Sequence, residues 1–211
     1  MMIRPMLVEM VHQSTSGIWA VVAACIALLA VFLLAIYKIC KPFFKGADMF
    51  RHWPFYLPAV VGLILLLRFG VTMTAVKGMI LTLILLYASM SDFKKREVPD
   101  WIWVMILILS FVNFQSDHLS SMITGAMVAF IPQLATNMIN PGRPIGGADI
   151  KISTAMAFLL GAWKGIFALV VGLLLAIITT VVTNKVKNQD QKASFPLVPY
   201  LWIGATIAYL I

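Results

Sequence analysis

Apolar runs of helix length, separated by polar clusters too short to fold alone, recur along almost the whole chain, and no water-soluble architecture tolerates that pattern. With 62% hydrophobic and only 11% charged residues over 211 positions, and a mean hydropathy of +0.97, a soluble globular domain is excluded. The chain reads as an all-α, polytopic integral membrane protein in a single membrane-embedded domain, residues 1–211. Helices are predicted at 18–37, 54–70, 74–91, 100–115, 119–138, 150–163, 165–183 and 196–211, which makes eight spans. The fourth, sixth and eighth fall short of the ~20 residues that a perpendicular span needs, so six or seven crossings are the alternatives. The first run has its basic flank after it, the reverse of a secretory signal, and is read as a mature span.

Basic residues orient the bundle, because positive charge is retained in short cytoplasmic loops. With the N-terminus outside, 12 of the 16 lysines and arginines fall on the cytoplasmic side: Lys38, Lys41, Lys45, Arg51, Lys94, Lys95, Arg96, Arg143, Lys151, Lys185, Lys187 and Lys192. Arg4, Arg68, Lys77 and Lys164 remain outside. Both termini are therefore expected outside, and the net charge of +8 needs no nucleic acid to explain it.

Against this background two aspartates stand out, each where an apolar stretch meets a polar one: Asp92 in Ser91-Asp92-Phe93-Lys94-Lys95-Arg96-Glu97-Val98-Pro99-Asp100, and Asp149 in Gly146-Gly147-Ala148-Asp149-Ile150-Lys151. An ionisable residue there is costly enough to suggest a function. Asp92 closes an inward span and Asp149 opens an outward one, with two spans between, so both are expected on the cytoplasmic face. That pairing requires 100–115 and 119–138 both to cross. Taken singly, Asp92 reads as a solvated charge beside Lys94, Lys95 and Arg96, and Asp149 as a helix N-cap. Trp101 and Trp103 read as interfacial anchors.

Before Asp149, Asn140-Pro141-Gly142-Arg143-Pro144-Ile145-Gly146-Gly147-Ala148 is rich in helix breakers and is predicted to be non-helical. Gly146 and Gly147 would supply any positive φ that the turn requires and admit a second backbone or an extended peptide.

In combination these features resemble the type IV prepilin peptidases, membrane aspartyl proteases of the Gly-x-Gly-Asp class. Asp92 through Asp100 resembles the family's first aspartate motif, with Pro99 seven residues after the aspartate. Gly146-Gly147-Ala148-Asp149-Ile150-Lys151 resembles the second, with Ala148 where a second glycine is usual. Phe195-Pro196-Leu197-Val198-Pro199-Tyr200-Leu201 resembles the proline-containing segment that opens the last helix. The resemblance spans about residues 74–211 and implies Asp92 and Asp149 as catalytic residues, with Gly146, Gly147, Ala148 and Lys151 in supporting or substrate-positioning roles. It implies cleavage of the short basic leader of a prepilin or pseudopilin at the cytoplasmic face of the inner membrane. The stretch 38–53, where bifunctional members carry a methyltransferase portion with Cys-x-x-Cys pairs, is short here and holds only Cys40, so N-methylation is not expected.

Two carboxyl groups at close range do not both ionise cheaply, so such a pair holds one proton near working pH. The ionised member draws a proton from water while the other donates to the oxyanion or the leaving amine. Asp149, at a helix N-terminus, is favoured in its charged form, a hint that it is the base. Lys151 is expected either to orient the second carboxylate or to contact lipid headgroups. Glu97, Asp100, Asp48 and Asp190 are the other acids on the expected cytoplasmic face.

Other chemistry is poorly represented. Cys25 and Cys40 are separated along the first span, and His12, His52 and His118 fall in three segments, so no metal, cofactor or disulfide is expected. The partners expected are a prepilin helix and the lipid bilayer, without nucleic acid. The competing readings are a small ion- or proton-coupled transporter subunit and an inactive peptidase-like assembly factor. A transporter would favour ionisable groups deep within spans or an inverted repeat, and neither is evident in the sequence.

Overall fold

The computed structural model describes residues 3–43, 53–140, 145–187 and 196–211. Eight α-helices run along them: α1 (Ile3–Cys40), α2 (Trp53–Phe69), α3 (Met73–Lys95), α4 (Trp101–Ser110), α5 (Leu119–Ile139), α6 (Gly147–Leu160), α7 (Ala162–Lys187) and α8 (Val198–Leu210). A 3₁₀ turn, Ser116–His118, leads into α5, and no strand occurs among the described residues. The protein is a helical membrane protein. Four helical segments are long and apolar enough to cross a bilayer: Trp19–Cys40, Met73–Lys95, Ser116–Ile139 and Ala162–Thr183. Segments Tyr56–Phe69, Trp101–Ser110 and Val198–Leu210 are apolar but shorter.

Several boundaries differ from the sequence expectation. α1 begins at Ile3 rather than at 18, and α6 begins at Gly147 rather than at 150. α4 stops at Ser110 instead of 115, because a turn follows in which Asn113 adopts φ 54°. Its 10 residues span about 15 Å, half of a ~30 Å hydrocarbon core. Gly161, at φ 80°, separates α6 from α7.

Contacts at the helix ends fix the direction of each element. Lys77, near the start of α3, donates to the carbonyls of Ser110 (3.1 Å) and Val112 (2.9 Å) at the end of α4, so these helices run antiparallel. Ser121, at the start of α5, accepts from the Ala162 N–H that opens α7 (3.0 Å), next to the end of α6. Asn137, at the end of α5, exchanges two hydrogen bonds with the backbone of Ile145, just before α6. The chain therefore leaves the Asp92 end along α4 and returns along α5, the arrangement that pairing the two aspartates requires. Tyr209 at the end of α8 donates to the Thr74 carbonyl at the start of α3 (2.8 Å), and Arg68 donates to the Ile211 carbonyl (3.3 Å), which puts the C-terminus at the opposite end from Asp92.

Within lipid, burial of apolar surface does little to join one helix to another, and close packing with internal hydrogen bonds takes over. α6 packs on α4, α5, α7 and α8, while α8 lies between α3 and α7. Small residues permit the approach: a Cβ on Gly204 would meet the Ala168 carbonyl oxygen of α7 at 2.2 Å, and one on Gly165 would meet Ala157 of α6 at 2.8 Å. Around them Leu85, Ile102, Ile106, Ile152, Met156, Leu201 and Trp202 form the buried centre. The buried Gln133 of α5 and Ser153 of α6 are joined by a side-chain hydrogen bond (Gln133 Nε2 to Ser153 Oγ, 2.8 Å), fixing the rotation of α6.

Candidate active site

Asp92 occupies the last turn of α3 and is 8% exposed. The turn is closed by Arg96 in the left-handed conformation, whose N–H bonds the Asp92 carbonyl at 3.0 Å, and by Ser91 donating to the Glu97 carbonyl at 2.7 Å. The Asp92 side chain reaches across to α8, where Oδ2 accepts the Val198 N–H at 3.2 Å. Leu197 and Val198 open that helix. A helix N-terminus carries unsatisfied N–H donors and partial positive charge, so this is a favourable place for an anion. Pro199, the second residue of α8, has no N–H to leave unsatisfied.

Asp149 lies in the first turn of α6, ahead of its apolar run, and is partly buried. Gly146 is the N-cap, and its carbonyl accepts the Ile150 N–H at 3.2 Å. A Cβ on Gly146 would stand 2.8 Å from Asp149 Oδ2, so glycine leaves room for the carboxylate. Neither Gly146 nor Gly147 has positive φ, because both belong to a helix start that requires none. Gly147 is exposed with open space where a Cβ would be, and Ala148 continues the helix beside it. The Asp149 carboxyl is pushed up to about 6, first by burial and then by the negative charge of Asp92. Among the described residues it accepts no hydrogen bond, whereas Asp92 is held by the start of α8. Burial and the neighbouring charge thus oppose the helix dipole at Asp149.

Lys151 is engaged by a third acid. Its Nζ pairs with Asp100 Oδ1 at 2.7 Å, tying α6 to the residue that precedes α4. Trp101 remains 48% exposed and packs on Tyr87, as an interfacial residue would, whereas Trp103 is drawn partly into the core. Arg143, Pro144, Asp48, Asp190, His52, Phe195 and the loop cations Lys45, Arg51 and Lys192 lie outside the described residues. The described residues contain no His, Cys, Asp and Glu group suited to a metal ion.

Sequence reasoning missed Asn137 and Gln133. Asn137 Oδ1 accepts the Ile145 N–H (2.6 Å) and its amide donates to the Ile145 carbonyl (3.1 Å), which anchors the chain one residue before the cap of α6. A lone asparagine or glutamine in an apolar helix was the available signal, since such groups need a partner when buried.

Two acidic side chains at one end of an apolar helical bundle, near enough for the charge of Asp92 to act on Asp149, make the class a helical membrane protein with a candidate paired-acid site. Residues 79–182 match the type IV leader peptidase family, so this stretch of the chain is similar to that family. The match runs from α3 into α7, taking in both aspartates and leaving out α1, α2 and α8. A search of the curated proteins and a search of the solved structures each found no match.

Proposed function

We propose that the protein is an aspartic endopeptidase that removes the short basic leader of type IV prepilins or pseudopilins at the cytoplasmic face of the inner membrane. The observation that carries this reading is the proximity of Asp92 and Asp149, close enough for the charge of one to act on the proton of the other. The family match supports a leader peptidase, and the aspartate pair supplies its chemistry.

In the proposed cycle Asp92 is ionised, held by the N-terminus of α8, and Asp149 carries the shared proton. A water between them gives a proton to Asp92 as its oxygen attacks the scissile carbonyl carbon, while Asp149 donates to the carbonyl oxygen. Collapse of the tetrahedral intermediate breaks the C–N bond, and the amine leaves with a proton from the pair. Gly147 and Ala148, at the open start of α6, give an extended substrate backbone access to the carboxylates. Asp100 is engaged by Lys151, which leaves Glu97, exposed beyond the end of α3, as the described acid best placed to meet a basic leader.

The positive-inside distribution supports placing this end of the bundle in the cytoplasm and both termini outside. The short segment between α1 and α2 supports a peptidase without N-methyltransferase activity. The transporter reading has no observation in its favour. Proteoliposomes carrying the protein and a prepilin test the proposal: a product shortened by its leader, with an unmethylated new N-terminus by mass, is expected. An uncut prepilin in the presence of well-folded protein would favour the inactive assembly factor.

A further inference from the structure

A polar cavity of about 160 Å³ lies at the opposite end of the bundle from the aspartates, between the start of α3, the end of α4, the 3₁₀ turn and the end of α6. Fifteen residues of α3 separate Lys77 in its wall from Asp92, about 22 Å along the helix. The cavity is far roomier than one water requires and is lined by hydrogen-bonding groups, so it is not a packing defect.

The lining groups share one chemical bias. Lys77 spends two of its three N–H donors on the carbonyls of Ser110 and Val112, leaving one for the cavity. Gln115 has its amide oxygen 3.1 Å from His118 Nε2, which leaves its NH₂ group available. The Ser121 oxygen accepts the Ala162 N–H, so its hydroxyl proton is free to point elsewhere. Asn113 adds a second amide, held in the left-handed conformation. No carboxylate lines the cavity. A lysine charge with surrounding neutral donors suits an oxyanion, because each donor strengthens when its acceptor is charged. The same segments carry exposed Ile108, Phe111 and Ile123, the surface an acyl chain would cover.

We propose that this cavity binds a phosphate-type oxyanion, the chemistry shared by a phospholipid headgroup and inorganic phosphate. The site is independent of the peptidase reading. Lys77, which charge distribution alone leaves unexplained on the outer side, then both closes the end of α4 and holds the anion.

The test is thermal unfolding of the purified full chain in neutral detergent, with dioctanoyl phosphatidylglycerol, inorganic phosphate, dioctanoylglycerol or matched sodium chloride added. A phosphate compound is expected to raise Tm by about 5–10 °C at a hundredfold excess over its Kd, relative to the phosphate-free controls. A rise with the lipid alone identifies a headgroup, and a rise with both identifies the phosphate itself. Lys77→Met should abolish the rise. Since Lys77 also closes α4, Asn113→Gly provides a second variant that keeps the left-handed backbone while removing the amide, and it should weaken binding several-fold. No difference between phosphate compounds and controls, or a rise unchanged in either folded variant, would overturn the proposal.

Discussion

Asp92 of α3 accepts the N–H of Val198, the first residue of α8, at 3.2 Å, joining positions 106 residues apart. The proposed acid–base group is thereby also the anchor for a helix start, and the two roles separate by substitution. Asp92→Asn keeps an acceptor for Val198 and should leave the fold intact while lowering cleavage by about 10²–10⁴-fold. Asp92→Leu should in addition cost about 1–3 kcal/mol by leaving the Val198 N–H without its acceptor. Urea or thermal unfolding beside a cleavage assay distinguishes the two effects.

The sign of the pH dependence follows from Asp149. Its folded value of about 6 exceeds the ordinary 3.8, so folding favours its protonated form; that contribution is full below 3.8 and is lost as pH rises through 6. Ionisation above pH 7 then costs about 1–3 kcal/mol, reduced by whatever water reaches this partly exposed group. Asp149→Asn should accordingly raise Tm at pH 7.5 and leave it unchanged near pH 4. Equal Tm for both proteins at pH 7.5 would contradict the burial and charge argument.

Asn137 positions the second aspartate through the Ile145 backbone. Asn137→Ala should lower kcat about tenfold with little change in KM, because a small displacement of a reacting group is expensive in rate. Its two lost hydrogen bonds should cost about 1–3 kcal/mol. Asn137→Asp retains the acceptor for the Ile145 N–H and should recover part of both.

The Lys151–Asp100 pair is a surface tie, with side chains 48% and 77% exposed. A double-mutant cycle with Lys151→Met and Asp100→Asn should give a coupling of about 0.2–1 kcal/mol, smaller in high salt. Lys151→Met should leave kcat within about threefold. A loss comparable to that of Asp149→Asn would return Lys151 to the chemistry.

Apolar runs and breakers made eight helices and two boundary aspartates legible, since composition and local conformation act over a few residues. What stayed hidden depends on register between distant segments. The bond from Asp92 to α8 needs the depth of both helices, and Lys77 closing α4 needs their antiparallel alignment. Asn137 meets Ile145 only because the start of α6 lies beside the end of α5. The left-handed Asn113 and the lysine below it stop α4 at Ser110, whereas apolar content alone carries the prediction to 115. The proline segment opening the last helix was marked in the sequence, but its task of presenting Leu197 and Val198 to Asp92 was not.

The most direct measurement of the paired-aspartate claim is prepilin cleavage by the wild type, Asp92→Asn, Asp149→Asn and the double variant in proteoliposomes, with insertion and folding verified for each. Groups that act as one unit are non-additive, so each single variant should lose nearly as much as the double, about 10²–10⁴-fold. Cleavage by either single variant at close to the wild-type rate would remove that aspartate from the mechanism and contradict the account.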